Sequence, residues 1–537
     1  MRGTTTADRP NFLFIITDQH RADHLGCSGH PVLKTPNIDS IAAKGISFDR
    51  FYVATPVCQP NRSTLFTGRM PSLHGVRSNG IPLDMRASTF TEGMRQSGYA
   101  TALVGKSHIQ NMTSLPAMHT RPDPKDGYTS LREQIPEAFE ADEKGNYGQE
   151  HPDTWNPGEP YKIDLPFYGF EHVDLCTEHS DHVGGQYYVW FKQKRTDADD
   201  LRDRKNQFDH DYICPQAFRT SIPEEYYPTT YIREKTIEYL DRHVSSTEDK
   251  PFFLMASFPD PHHPFTPPGK YWDMYKPEDM KVPPSFDYGN VEPPPHVKWA
   301  RDARESGEAQ TNSQNAFAVR EREILEARAL TCGMIAMIDD AVGDILKKLE
   351  DSGLADNTII VFTADHGDFL GDHGLMLKGP AHFEGVTRIP FIWSEPGAKS
   401  RATDTLASTV DIAQTILDRA KIEPYNGIQG RSLANAIAGD SDPDAVDTVI
   451  VEDDQQRVYF GYRKPPRIRS LITERYRLTV SRGEDWGELY DLRNDPDEME
   501  NLFDDPAHAD IRAQLFECLA KKQIELVDTS PMPTMRA

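Results

Sequence analysis

Asn11-Phe12-Leu13-Phe14-Ile15-Ile16-Thr17 is a mostly apolar run that closes on Asp18-Gln19, and Thr358-Ile359-Ile360-Val361-Phe362-Thr363 repeats the pattern before Ala364-Asp365-His366-Gly367. Short apolar runs rich in β-branched and aromatic residues predict strands buried on both faces, as in a parallel sheet. Polar residues just beyond the carboxyl ends of such strands stand where open α/β sheets take their ligands. Pro251 to Phe258 is a third such run, also ending in a polar cluster. Between them, Pro36 to Lys44 reads as a short helix stopped by Gly45. A longer helix from about Arg320 to Asp351 carries Leu330, Met334, Met337, Ile338, Ala341, Ile345 and Leu349 at helical spacing, with Gly353 as its stop. The alternation predicts an α/β fold: a large, mostly parallel sheet sandwiched by helices.

At 537 residues the chain is long enough for one large domain and a smaller one. We place the large domain at 1–440, with irregular stretches at 110–230 and 267–314 forming the walls of a pocket. After about Asp440 the texture changes to short alternating runs, Thr448 to Glu452, Val458 to Tyr462, Ile468 to Thr473 and Arg475 to Val480, followed by a helix from about Pro506 to Leu526. These predict a small α+β domain, 441–537, built on an antiparallel sheet.

The net charge of −25 argues against nucleic-acid partners and against an anionic membrane surface. Any site for an anion must therefore concentrate positive charge locally. Met1 to Pro10 lacks the apolar core of a secretory signal, and no run reaches membrane-spanning length, so the expected location is cytoplasmic. The six cysteines are scattered without a CxxC pair, which argues against a disulfide framework. Cys58 stands apart through its context, Cys58-Gln59-Pro60-Asn61-Arg62, followed by Ser63-Thr64-Leu65-Phe66-Thr67-Gly68-Arg69. Pro60 suggests a helix starting just past Cys58, with its N-terminal amides facing an anion. Asp18, Gln19, Asp365 and His366 are candidate ligands of one divalent cation: oxygen donors suit Ca²⁺, Mg²⁺ or Mn²⁺, and the imidazole tilts the balance toward Mn²⁺. The plainer alternative makes Asp18 a helix cap and Asp365-His366 a solvated turn.

The Cys-x-Pro-x-Arg element closing on Thr-Gly-Arg resembles the signal of type I sulfatases, members of the alkaline phosphatase superfamily, for oxidising cysteine to Cα-formylglycine. Further segments resemble the family in the right order. Asp18-Gln19 and Asp365-His366-Gly367 match its two metal segments, with Cys58 as a further ligand; other members carry Asp in place of Gln19 and Asn in place of His366. This variant set is similar to choline-sulfatase-like and phosphonate-hydrolase-like members. Gly98-Tyr99-Ala100-Thr101 through Gly105-Lys106-Ser107-His108 resembles the second signature, which implies that Lys106 binds the anion and His108 hydrogen-bonds the formylglycine diol. Pro261-His262-His263-Pro264 makes His262 an anion ligand or general acid and His263 a bystander. Gly371 to Gly379 resembles the loop whose lysine, here Lys378, touches both the anion and the leaving oxygen. Leu489-Tyr490-Asp491-Leu492 through Asn501-Leu502 matches a structural C-terminal signature. Asn79, in Ser78-Asn79-Gly80, either reaches the anion or simply forms an Asn-Gly turn.

The resemblance implies hydrolysis of sulfate monoesters. One hydroxyl of the aldehyde hydrate attacks sulfur as the alcohol departs; deprotonation of the other then expels sulfate and restores the aldehyde. Arg62 would hold the diol and its loop, and a formylglycine-generating enzyme would be a maturation partner. Related cytoplasmic members form dimers or tetramers, so a homo-oligomer is expected. A small anionic ester, an aryl or alkyl sulfate, suits a chain without an export signal better than a polysaccharide. Two alternatives stand beside this reading: a phosphonate monoester or phosphodiester hydrolase with the same nucleophile, and a non-catalytic anion-binding protein with unmodified Cys58. Lys106 and His108 favour sulfate, whereas the metal set leans toward phosphonate.

Overall fold

The computed structural model describes residues 9–536 except 119–122, 132–133, 136, 139–141, 143, 157–160 and 442–443. The expectation about Met1 to Pro10 thus falls largely outside the described residues. The main sheet is built from β1 (Asn11–Thr17), β2 (Ile46–Phe48), β3 (Ala100–Lys106), β4 (His172–Thr177), β5 (Gly184–Gly185), β6 (Phe252–Phe258), β7 (Thr358–Ala364), β8 (Phe391–Ser394) and β9 (Arg401–Thr403). Their spatial order is β9-β2-β8-β7-β1-β6-β3-β4-β5. From β7 to β4 the five central strands run parallel, with Thr17 level with Ala364 on one side and Phe258 on the other.

Alternate residues of β1 explain why both faces need cover. Phe12, Phe14 and Ile16 pack into one core; Leu13 and Ile15 pack into another. The first core is closed by helices α2 (Cys58–Thr67), α3 (Phe90–Gln96) and α8 (Asp411–Arg419) through Leu65, Phe66, Phe90 and Ile416. The second is closed by α1 (Pro36–Ala43), α5 (Pro228–Ser245) and α7 (Glu321–Asp351) through Ile41, Leu240 and Ile338. The result is the expected mostly parallel sheet between two helical layers.

Two expectations need correction. The stretch 110–230 is not irregular throughout: it supplies β4, β5 and helix α4 (Gln186–Lys194), and 267–314 contains α6 (Pro295–Ser306). β4 escaped notice because half-buried polar positions, His172 and Asp174, alternate with buried apolar ones near the sheet edge. The second small sheet comprises β10 (Thr448–Asp454), β11 (Arg467–Thr473), β12 (Tyr476–Ser481) and β13 (Gly487–Asp491), all antiparallel, followed by α9 (Ala509–Glu525). Val458 to Tyr462 is no strand: Phe460 sits at φ 59°, and Phe460 and Tyr462 insert together into a cluster with Phe383 and Tyr490. β13 takes its place.

Candidate active site

The parallel strands deliver their polar carboxyl ends to one place. Asp18 and Gln19 follow β1, Lys106 ends β3, His179 follows β4, His262 follows β6, and Asp365 and His366 follow β7. α2 begins at Cys58 itself, which places the thiol against them. Cys58 Sγ is 3.0 Å from His366 Nε2 and 3.9 Å from Asp18 Oδ1. Arg62, one turn on, binds the strand ends together: Nε donates to Asp365 Oδ2 at 2.8 Å, Nη1 donates to the Lys106 carbonyl and to Ser257 Oγ, each at 3.0 Å, and Nη2 lies 3.5 Å from Asp18 Oδ2. The Lys106 ammonium contacts Asp18 Oδ2 directly. β3 and β6 approach so closely here that a Cβ on Gly105 would lie 1.9 Å from the Ser257 carbonyl oxygen.

Lys378 completes the cluster from the far side. Its Nζ donates to Gln19 Oε1 at 2.9 Å and to His262 Nε2 at 2.8 Å. His262 Nδ1 faces the His263 carbonyl at 2.5 Å, so that nitrogen carries the proton and Nε2 offers the lone pair. Burial, reinforced by the Lys378 charge, holds His262 well below the usual imidazole range, and the ring is neutral. Gln19, at φ 60°, spends its amide group on Asp368 Oδ2 at 2.5 Å, with His263 Nδ1 3.0 Å away. Asp368 Oδ1 in turn accepts from the backbone of Leu370 and Leu377, shaping the loop that ends in Lys378. His263 is therefore a packed, hydrogen-bonded partner of Gln19, buried beneath His262 with ring centroids 4.1 Å apart.

Asp18 Oδ1, Asp365 Oδ1, His366 Nε2 and Cys58 Sγ have the chemistry of a cation site. Ligand atoms of these four residues lie within 4.8 Å of one another, all buried. His366 Nδ1 donates to the Gly367 carbonyl at 2.8 Å, which leaves Nε2 as the donor turned toward the two carboxylates. Burial alone would raise the Asp18 carboxyl; the Lys106 ammonium and Arg62 guanidinium outweigh it and hold the group well below its usual range. Two carboxylates and an imidazole lone pair fit a divalent ion. Positive charge is concentrated as the chain's overall balance demands: Arg62, Lys106 and Lys378 converge on one spot of a molecule with net charge −25.

One predicted residue, Asn79, is engaged elsewhere. Gln59 N, a first-turn amide of α2, donates to Asn79 Oδ1 at 3.2 Å, so what the structure shows for Asn79 is a cap on that helix. With Gln59 capped, Pro60 lacking an N–H and Asn61 N bonded to the Val57 carbonyl, the expected row of anion-facing amides is not formed. His108 turns in at φ 51°, with Nδ1 buried and without a partner. Its backbone is gripped by Glu150, whose Oε1 accepts from Ser107 Oγ, Ile109 N and Gln110 N.

Sequence reading missed Glu150, Asp368 and His179. The His179 ring stacks on His262 at 3.6 Å between centroids, and its Nε2 is 4.0 Å from Asp18 Oδ2. Glu150 and His179 both fall in the stretch that carries no recognisable motif, so only the fold brings them to the site.

Comparison with known proteins agrees with this geometry. The profile of the Sulfatase family matches residues 10–422, and that of the N-sulphoglucosamine sulphohydrolase C-terminal region matches 371–525. The chain is 27% identical over 523 residues to an arylsulfatase of Clostridium perfringens, covering 96% of this chain and 94% of that one. It is 29% identical over 529 residues to the multifunctional alkaline phosphatase superfamily protein PehA of Trinickia caryophylli, covering 93% and 92%. The crystal structure of the phosphonate monoester hydrolase of Agrobacterium radiobacter superposes with a TM-score of 0.76 at 25% identity, covering 97% of both chains. With more than half its length matched by the family profile, the chain belongs to the sulfatase family.

Proposed function

We propose that the protein hydrolyses sulfate monoesters using a nucleophile made from Cys58 by oxidation to Cα-formylglycine. The observation that carries this reading is the position of Cys58: it is buried where three cations, two carboxylates and an imidazole lone pair converge. Burial pushes the unmodified thiol up to about 11, so at neutral pH it would be a protonated and poor nucleophile. The hydrated aldehyde instead supplies two hydroxyls on one carbon, one to attack and one to expel the product. Asp18, Asp365 and His366, with the modified residue 58, would hold a divalent ion, which when bound supplies positive charge to the ester's oxygens and acidifies the attacking hydroxyl.

The remaining chemistry belongs to side chains. Lys106 and Lys378 flank the position of the anion. Because His262 Nε2 is an acceptor, Lys378 is the better-placed donor to the departing alcohol oxygen, with His262 holding its ammonium in line. Each well-aimed group contributes about 3 kcal/mol to barrier lowering, so Lys106→Ala or Lys378→Ala should cost roughly a hundredfold in kcat/KM.

The first test is the mass of the tryptic peptide containing Cys58, from protein matured in its native host, with a hydrazine probe for the aldehyde. A trapped aldehyde supports the mechanism; an alkylatable thiol in folded protein sinks it and favours an anion-binding role. A second reading, phosphonate monoester hydrolysis, draws on the 0.76 TM-score to a phosphonate monoester hydrolase and on the Gln19 and His366 variants. Comparing 4-nitrophenyl sulfate with 4-nitrophenyl phenylphosphonate on the aldehyde form separates the two.

A further inference from the structure

Just past β4 the backbone is held in a strained form around a side chain that has no role in the chemistry above. Glu178 sits at φ 63° and Ser180 at φ 52°, two non-glycine residues in the left-handed region on either side of His179. Side chains adopt that region rarely, and two such residues in three persist only where the surrounding structure enforces them. Here it does: Ser180 Oγ donates to the His262 carbonyl at 2.6 Å, and the Arg204 guanidinium donates to both carboxylate oxygens of Asp181. The His179 ring is thereby turned into the site, stacked on His262 with centroids 3.6 Å apart and with Nε2 4.0 Å from Asp18 Oδ2. Nε2 is enclosed and has no hydrogen-bond partner among the described residues.

Two groups of polar side chains meet at Cys58 and Asp18. Asp365 and His366 complete one, the cation site described above. His179 and His262 complete the other, in which ligand atoms of Asp18, Cys58, His179 and His262 all lie within 4.8 Å of one another. Charge separates the two. Lys106 contacts Asp18 Oδ2, and Lys378 donates to His262 Nε2 at 2.8 Å, so two ammonium groups already stand among the atoms of the second group. A second cation would meet both at close range, whereas an anion is drawn to the same spot. The second group is therefore the anion's side of the site. A ring nitrogen facing the Asp18 carboxylate carries a proton rather than a lone pair. An N–H left without a partner where negative charge gathers is preorganised to donate when the anion arrives. We infer that His179 is a catalytic residue whose Nε2–H donates to an oxygen of the anion held between Lys106 and Lys378. Stacking alone would make the ring no more than a prop for His262. The inference rests on the sulfatase reading above and adds a residue to it.

Two variants of the aldehyde-bearing enzyme separate donor from prop. His179→Phe keeps an aromatic ring against His262 but has no N–H; His179→Gln gives up the ring and brings a carboxamide N–H to about the position of Nε2. If His179 donates, kcat/KM for 4-nitrophenyl sulfate should fall roughly a hundredfold in His179→Phe, and His179→Gln should stand about tenfold or more above it. A loss of less than about tenfold in His179→Phe, or a His179→Gln no better than His179→Phe, overturns the proposal and leaves the ring as a prop. Should His179→Phe fail to fold, His179→Leu is read against His179→Gln by the same margin, since neither stacks and only the second donates. Inactivity of the unsubstituted enzyme toward every ester would strike at the sulfatase reading instead, and the contact is then judged by binding. Calorimetric titration of the Cys58→Ser protein with inorganic sulfate should show saturable binding, weakened about tenfold or more when His179→Phe is added, as the loss of one hydrogen bond to a charged group requires. No saturable binding, or binding that His179→Phe leaves unchanged, refutes the contact.

Discussion

Arg62 and Glu150 perform the same service at different distances from the chemistry. Arg62 is fully buried and reaches the ends of β1, β3, β6 and β7 with one guanidinium. Lysine keeps the charge but, as a point donor, cannot span Asp365, Ser257 and the Lys106 carbonyl together. Arg62→Lys should therefore lower kcat at least a hundredfold and depress the melting temperature, because breaking a buried ion pair costs about 3–5 kcal/mol. An unchanged melt would show that the strand ends hold without it. Glu150 bears on His108 by accepting from the Ser107 hydroxyl before it and from the Ile109 and Gln110 amides after it. Glu150→Ala should reduce kcat about tenfold with KM less affected. Glu150→Gln should restore most of it, since the carboxamide oxygen accepts from the same backbone donors. Equal losses in both variants would mean that the negative charge, rather than the grip on the turn, matters.

At the scale of elements, α2 depends on the turn that follows it. His74 Nδ1 accepts from Val76 N at 3.2 Å, so the ring's proton sits on Nε2, 3.0 Å from Thr64 Oγ1. Burial lowers this histidine to about 3, so the folded protein holds it neutral, whereas the unfolded chain protonates it below about 6.5. Stability from this ring is complete above about pH 6.5 and is lost as pH falls toward 3, by about 1.4 kcal/mol per unit. His20, lowered to about 4, and His24, lowered to about 3, add to the same slope. Urea unfolding at pH 6.5 and 5 should show the decline, and His74→Asn should reduce its slope by one proton's worth. An identical slope would place the effect elsewhere. What could be read from the sequence follows the same physics of burial. β1, β6 and β7 announce themselves because both their faces are covered, so most positions are apolar, and the residues after them carry motifs. β4 alternates and lies near an edge; Val458 to Tyr462 looks like a strand but serves a packed loop. His179 and Glu150 have no local signature, because their meaning comes from strands and turns far away in the chain.

In the whole molecule, the small sheet packs against the main core and against the loops that lead to the active site. Val449, Val451 and Ile472 share a core with Phe12 and Trp393 of the main sheet. Glu452 accepts from both N and Oγ of Ser72, each at 2.9 Å, and its own N donates to the Ala54 carbonyl, bracing the approach to Cys58. The other brace falls on the loop of Lys378. Tyr462 donates to the Pro380 carbonyl at 3.1 Å, Ser470 Oγ is 2.7 Å from His382 Nδ1, and Asp453 lies 3.6 Å from the same ring. Each hydrogen bond is worth about 1 kcal/mol in stability, too little to unfold the protein but enough to loosen a loop whose lysine must sit within tenths of an ångström. The double variant Tyr462→Phe/Ser470→Ala should therefore stay folded and lose roughly tenfold in kcat. If the small domain acts by positioning Lys378, the loss must shrink when Lys378 is already alanine, because there is no ammonium left to misplace. A kinetic cycle over the double variant, Lys378→Ala and their combination measures this directly. Losses that multiply would separate the small sheet from Lys378, whereas a combined loss close to that of Lys378→Ala alone would make the second sheet part of the catalytic apparatus.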